Sequence, residues 1–165
     1  MHGVVQQAAE IIVSGEFTMK YTFRGIGAEE ISFKINRVKL EPNSKLDIKP
    51  QFSRQVRKVK NNEKLNFIAL SLKIESTEAE PKPFDIHVTL VGTFEVEDAS
   101  AGSDQERAFV IEATKLLFPY LRAAVTNLTA SAYISPLNLP VLNGPIFPED
   151  RDVYAFTVGG EDKLN

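Results

Sequence analysis

The 165-residue chain contains no cysteine, no tryptophan and only two histidines. Without cysteine there is no disulfide and no thiolate metal site, a composition that suits a reducing cytoplasm. With only His2 and His87 to draw on, a Ser-His-acid arrangement would have to use His87, which alternation places on the wet side of a strand. The chain also lacks a phosphate loop, a dinucleotide fingerprint and a cluster of metal ligands, so no catalysis, cofactor or metal is expected. No stretch approaches the roughly 20 apolar residues that span a bilayer. The N-terminus has no cationic region ahead of an apolar run, and Glu10 interrupts the one candidate for a leader. A soluble, cytoplasmic protein is therefore expected. A net charge of -3 gives no electrostatic reason for binding nucleic acid or inserting into an anionic membrane.

What is present is apolar mass in two different periods. Hydrophobic residues make up 43% of the chain, enough for the core of one ordinary domain. Val4, Val5, Ala8, Ile11 and Ile12 fall on one helical stripe that stops near Ser14-Gly15, which predicts a short N-terminal helix needing a surface to dock on. A strand-rich half follows. Ile31, Phe33 and Ile35 alternate with polar residues. A second run from Leu46 to Val59 carries Leu46, Ile48, Phe52 and Val56 in phase, with Pro50 suited to an edge or a bulge. Lys60-Asn61-Asn62-Glu63 reads as a hairpin turn, ahead of a third run bearing Ile68, Leu70, Leu72 and Ile74. After a charged loop from Ser76 to Pro83 comes a fourth run. There Phe84, Ile86, Val88, Leu90, Phe94 and Val96 oppose Asp85, His87, Thr89, Thr93 and Glu95. Four such strands with short polar turns predict an antiparallel sheet with one solvated face.

Beyond a polar linker, Ser103 and Glu106 suggest a capping box. From Glu106 to about Ala132 the apolar residues recur at helical spacing, and Pro119 inside that stretch predicts a kink or a break. The helix is apolar over more than half its circumference. One sheet cannot hide all of that surface, so subunits are expected to meet through Phe109, Leu116, Leu117, Leu121, Val125 and Leu128. The fold class is α+β: a four-stranded antiparallel sheet packed with a long kinked helix, plus the short N-terminal helix.

Leu116-Leu117-Phe118-Pro119-Tyr120-Leu121-Arg122 resembles the Phe-Pro-Tyr-x-Arg signature on the long helix of the SecB export chaperones. Pro136-Leu137-Asn138-Leu139-Pro140 is similar to the family's proline-bearing Leu-x-Leu stretch, Gly92-Thr93-Phe94 to its Gly-x-Phe, and Glu30-Ile31-Ser32-Phe33 to its first strand. The resemblance covers roughly residues 20 to 147 and divides the chain into an extension (1–16), a SecB-like domain (17–147) and a tail (148–165). It implies a homo-oligomer, a tetramer rather than a dimer, in which sheets and long helices pair the subunits. It also implies that unfolded or preprotein clients lie in apolar grooves and pass to the SecA motor. Motor docking would use acids on the wet face, here Glu30 and Asp85, with Lys34 and His87 standing where further acids are expected. The family's closing helix is replaced by Gly144-Pro145-Ile146-Phe147-Pro148, where helix is disfavoured.

A client groove must offer exposed apolar area to many sequences, worth roughly 25 cal/mol per Å² buried. The candidate walls are Ile48, Phe52 and Val56 in the second strand and Ile134, Leu137, Leu139, Leu142, Ile146 and Phe147 after the helix. The plainer reading of each is ordinary core or subunit contact. Tyr120 and Arg122, beside the helix proline, read as structural: tyrosine anchored by its hydroxyl, arginine paired with a carboxylate. Arg54, Arg57, Lys58, Lys60 and Lys64 read as a solvated hairpin rather than a nucleic-acid patch. Glu29 and Glu30, as neighbours on a strand, should face opposite ways and so not work as a pair. The expected function is an ATP-independent holdase. The rival reading is a dedicated chaperone or adaptor for one partner, such as the antitoxin of a toxin–antitoxin system.

Overall fold

The computed structural model describes residues 7–13, 17–38, 48–100, 102–142 and 144–151. Five strands, β1 (Gln7–Val13), β2 (Phe17–Ile35), β3 (Gln51–Val59), β4 (Asn62–Ile74) and β5 (Phe84–Val96), precede one long helix, α1 (Ser103–Ser131). They form one antiparallel sheet in the order β1-β2-β5-β4-β3. Strands β2 to β5 with α1 are the α+β arrangement the alternation predicts. Asn36 closes the β2 end by donating from its backbone N–H to Pro83 O (2.7 Å) and from its side chain to Asp85 (3.0 Å).

The N-terminal helix is not there: residues 7–13 form a strand instead. Seven residues are too few to hold a helix alone. Ile11, Ile12 and Val13 are β-branched, and pairing with Phe17 to Phe23 gives their backbone groups partners at once. Val4, Val5 and the expected stop at Ser14-Gly15 lie outside the described residues, as does Leu46. The second run therefore begins as strand at Gln51, with Pro50 just ahead of what is an edge strand. The first strand is far longer than the alternation at 31–35 suggested. It carries two register shifts, which leave Arg24 and Glu29 as bulges.

One face of the sheet is the core. Ile68, Leu70, Leu72 and Ile74 of β4 and Ile86, Val88, Phe94 and Val96 of β5 are all buried there. Helix α1 lies across β4, β5, β2 and β1. It presses Phe109, Leu117, Leu121 and Val125 into the sheet with 1% exposure or less. Each of these contributes about 1.5–3 kcal/mol of burial. Phe94 and Phe109 meet edge to face at 5.6 Å, and Tyr21 packs on both.

This placement corrects the expected subunit contact. Phe109, Leu117, Leu121 and Val125 are spent inside the subunit, while Leu116 and Leu128 are half-buried against the same core. The opposite side of the helix is partly covered as well, because the chain returns along it after residue 133. Helical periodicity cannot tell a surface buried by a partner from one buried by the chain's own return.

The residue that caps the helix is Gly102, not Ser103. Gln105 Oε1 accepts from the Gly102 N–H (3.0 Å), and Asp104 and Glu106 sit in the positive first turn. The helix continues unbroken through Pro119. It ends where Tyr133 turns into the left-handed region (φ 60°), just before Ser135-Pro136.

The depth of the helix is set at Gly92. A Cβ there would lie 2.6 Å from Leu117 Cδ2 and 2.7 Å from the Phe94 ring, so only glycine lets the helix come this close. Gly92→Ala is expected to destabilise the fold by about 1–3 kcal/mol in urea unfolding. Gly25→Ala, which meets nothing within 4 Å, should stay within about 0.5 kcal/mol of wild type. Leu121→Glu places a charge at a fully buried site and is expected to abolish the cooperative unfolding transition. A folded but monomeric Leu121→Glu protein would contradict the burial described here.

Candidate functional site

Three threonine and arginine contacts lay the chain's return along α1. Thr129 Oγ1 donates to Val125 O (2.9 Å) and accepts from the Leu137 N–H (2.9 Å). Thr126 Oγ1 donates to Leu137 O (3.2 Å), and Arg122 Nε to Leu139 O (3.0 Å). Arg122 is thus structural as expected, although its partner is a carbonyl rather than a carboxylate. Tyr120 remains half-exposed, with its ring 6.3 Å from that of Phe23.

Between the return and the helix runs an apolar groove of about 430 Å³. Ile111, Phe118, Pro119, Leu142 and Ile146 line it, and Lys115 and Arg122 stand at the polar margin. A second recess of about 360 Å³ continues it past Pro119 and Arg122 to Asn127 and Leu139. Val141 (70% exposed) and Leu142 (40%) form the open lip of the larger groove.

The expected groove residues divide accordingly. Leu142 and Ile146 line the groove. Ile134 and Leu137 are half-buried supports against the core, and Leu139 and Phe147 are buried within the subunit, so they are floor rather than contact surface. Of the β3 set, Val56 is exposed, Ile48 packs against the core, and Phe52 meets Phe118 edge to face at 6.0 Å. Ile111 and Phe118, missed as groove residues, are as buried as Leu139 and Phe147 and form the helix side of the same floor. Helical spacing identified them as apolar but could not say which side of the helix the groove would follow.

Arg54 departs most from its sequence reading. It is not part of a solvated hairpin; its side chain is 12% exposed and forks onto the 4%-exposed carboxylate of Asp150 at 2.8 and 3.0 Å. It also donates to Thr114 Oγ1 (3.0 Å) and lies 4.5 Å above the Phe147 ring. The sequence held one signal: Arg54 stands in phase with Phe52 and Val56, on the apolar side of the alternation. The neighbouring cations do lie at the surface, Arg57 pairing with Glu29 and Lys58 with Glu106.

The opposite face of the sheet is polar and holds a shallow cleft of about 380 Å³ with Glu29, Glu30, Arg57, Ser71, His87 and Thr89 on its rim and floor. Glu29 and Glu30 do not face apart. The bulge at Glu29 turns both to this side, where Glu29 meets Arg57 and Glu30 meets His87 (3.3 Å). Asp85 serves the fold, accepting from the Ser76 N–H (2.7 Å) and from Asn36 (3.0 Å). The Ser76 amide, aided by Asn36 and by the charges of Lys34 and Lys82, holds the Asp85 carboxyl below the usual carboxylate range against a smaller burial effect.

A sheet covered on one side by a single long helix, with a proline-rich return along that helix, is the SecB-like α+β fold. It superposes on a SecB-like chaperone of Mycobacterium tuberculosis, solved with a ChAD peptide from an antitoxin, with a TM-score of 0.63 at 18% identity. That match covers 76% of this chain and 93% of the other. The chain belongs to the SecB family: the family model described as preprotein translocase subunit SecB matches residues 7–147. It is 24% identical over 170 residues to the protein-export protein SecB of Anaplasma marginale (strain Florida), covering 99% of this chain and 91% of that protein. An uncharacterized protein of Methanocaldococcus jannaschii is 33% identical over 119 residues, 70% of this chain and 74% of its own.

Because the Asp85 pKa is lowered in the fold, its stabilising effect is full above the unfolded carboxylate value of about 4 and fades as pH falls through the lower folded value. Asp85→Asn is therefore expected to cost about 1 kcal/mol in urea unfolding at pH 7. The gap to wild type should narrow as pH falls below about 4 and close only beneath the lowered folded value; a gap of constant size would show that the carboxylate charge is not what holds the loop.

Proposed function

We propose that the protein is an ATP-independent holdase, which receives unfolded or preprotein segments in the groove between α1 and the return and passes them to a partner. The observation that carries this is the open apolar groove with its exposed lip at Val141 and Leu142, in a chain of the SecB family. An extended segment burying about 300 Å² of apolar area there gains roughly 7 kcal/mol before the costs of ordering it. The bound client is held reversibly, and no covalent step is involved. No helix among the described residues is long and apolar enough to cross a membrane.

Within this reading the assembly is a homo-oligomer, as in a SecB tetramer, and its sheet contact falls to the outer margin of β2. Beyond the stretch paired with β1, that margin presents Ile31 (50% exposed) and Ile35 (61%). If SecA is the receiving partner, Glu30 and Asp85 on the polar face are its docking points. Each of the two is already engaged within the chain, so such docking would have to compete with His87 and with the Ser76 amide.

The test is aggregation of a chemically unfolded client without ATP, with oligomer mass recorded on the same sample. Suppression should saturate at about one client per oligomer, and Leu142→Lys at the groove lip should raise the protein needed for half-suppression at least threefold. A well-formed oligomer that suppresses nothing would refute the general holdase and leave a dedicated adaptor for one partner.

A further inference from the structure

Arg122 is the only charged residue between Lys115 and Glu149. It stands in the wall of both the 430 Å³ groove and the 360 Å³ recess, where the two meet at Pro119. Its Nε donates to Leu139 O (3.0 Å), which fixes the plane of the half-buried guanidinium. Among the described residues the side chain has no other hydrogen bond and no ion pair. The four N–H groups of its two terminal nitrogens therefore have no acceptor among those residues.

The nearby acids are committed elsewhere. Asp150, the one carboxylate in the groove wall, is held by Arg54 at 2.8 and 3.0 Å, and none of the described residues lining the recess is acidic. Glu112 pairs with Lys115 (3.2 Å), the other cation at the groove margin. Arg122 thus sets a positive charge, without a counter-charge among the described residues, in apolar surroundings. Partial burial makes such a charge worth pairing, because water screens it less than at an open surface.

We infer that Arg122 is a specificity residue of the groove and takes a carboxylate carried by an otherwise apolar, extended client segment. The inference rests on the holdase reading and adds to it a preference of stated chemistry. With Nε tied to Leu139 O, the two terminal nitrogens present a pair of parallel donors, the arrangement a carboxylate accepts with both oxygens. A side-chain amide or a main-chain carbonyl offers one oxygen and no charge, so it gains less. Apolar residues on either side of the acid would lie in the groove and in the recess. Nothing in the chain has to move: the Leu139 bond, the buried floor and the Arg54 clasp all stay as they are. A lysine at the same place would bring like charge to Arg122 and be disfavoured.

The test titrates the full-length protein with three short fluorescent peptides of one apolar sequence, differing only at a central glutamate, glutamine or lysine, and reads anisotropy. The glutamate peptide should bind about fivefold more tightly than the glutamine one, and the lysine peptide most weakly. That order runs against the protein's net charge of -3, so it reports the local site. Equal affinities, or a preference for lysine, overturn the inference. Arg122→Gln should equalise the glutamate and glutamine peptides, while Lys115→Gln should keep most of the difference; the reverse pattern removes the role of Arg122. Because Arg122→Gln also gives up the bond to Leu139 O, Arg122→Lys supplies a second reading. It keeps a cation and a donor but not the paired donors, so its preference should fall to about twofold; an undiminished preference overturns the paired contact. An intact oligomer that binds none of the peptides assigns this surface to a subunit contact and overturns the site. Aggregation assays on the same samples separate the two readings. Peptide discrimination without aggregation suppression keeps the site and removes the general holdase; suppression without discrimination does the reverse.

Discussion

The approach of α1 to β5 at Gly92 fixes the height at which everything else on that side of the sheet is laid. Leu117 occupies the space a Cβ would need, so the helix sits deep enough for Leu121 and Val125 to be fully buried along the same line. Depth on the sheet side determines what is left on the other. Ile111, Phe118 and Pro119 stand at the upper flank of the helix, and the return from Leu137 to Ile146 runs past them at a distance set by Arg122 and Thr126. The groove is the gap between two elements fixed by different forces. Close packing holds the helix, while hydrogen bonds from Arg122, Thr126 and Thr129 and the burial of Leu139 and Phe147 hold the return.

Strands and helix were legible because their apolar residues recur at the two periods that a sheet and a helix impose. Phe84 to Val96 shows this most clearly, its burial alternating as its sequence does. What could not be read depended on the third dimension. The stripe from Val4 to Ile12 fits a helix on paper, yet Gln7–Val13 becomes a strand because a partner edge was available. Glu29 and Glu30 share a face because a bulge interrupts the alternation, and nothing local to those residues announces it. Arg54 was grouped with its charged neighbours, although its phase was that of the core. Its counter-ion stands 96 residues away in a turn that sequence could describe only as non-helical.

The same distinction separates the parts of the candidate site. Leu142 and Ile146 were found because a proline-rich apolar stretch that is neither helix nor strand has few roles except to cover something. Leu139 and Phe147, of the same character, are the covering itself, and lie beneath the surface. Composition shows that a segment will seek apolar contact; only packing decides which of its residues become floor and which become lip. The charges divide in a similar way. On the polar face Glu29 and Glu95 each have a nearby cation at the surface, where water screens the pairing. Arg54 and Asp150, screened by protein instead, hold each other by geometry.

The two bulges in β2 also govern how that strand can meet another. Each interrupts the ladder and adds local twist, so the edge stays regular only from Glu30 to Ile35, while β1 already covers the stretch from Phe17 to Phe23. An edge cut down in this way can accept one short strand, as a symmetric dimer contact that closes on itself would supply. It is poorly suited to template a growing ribbon. A protein that spends its time among unfolded chains thereby keeps this margin of its sheet from becoming a seed for them.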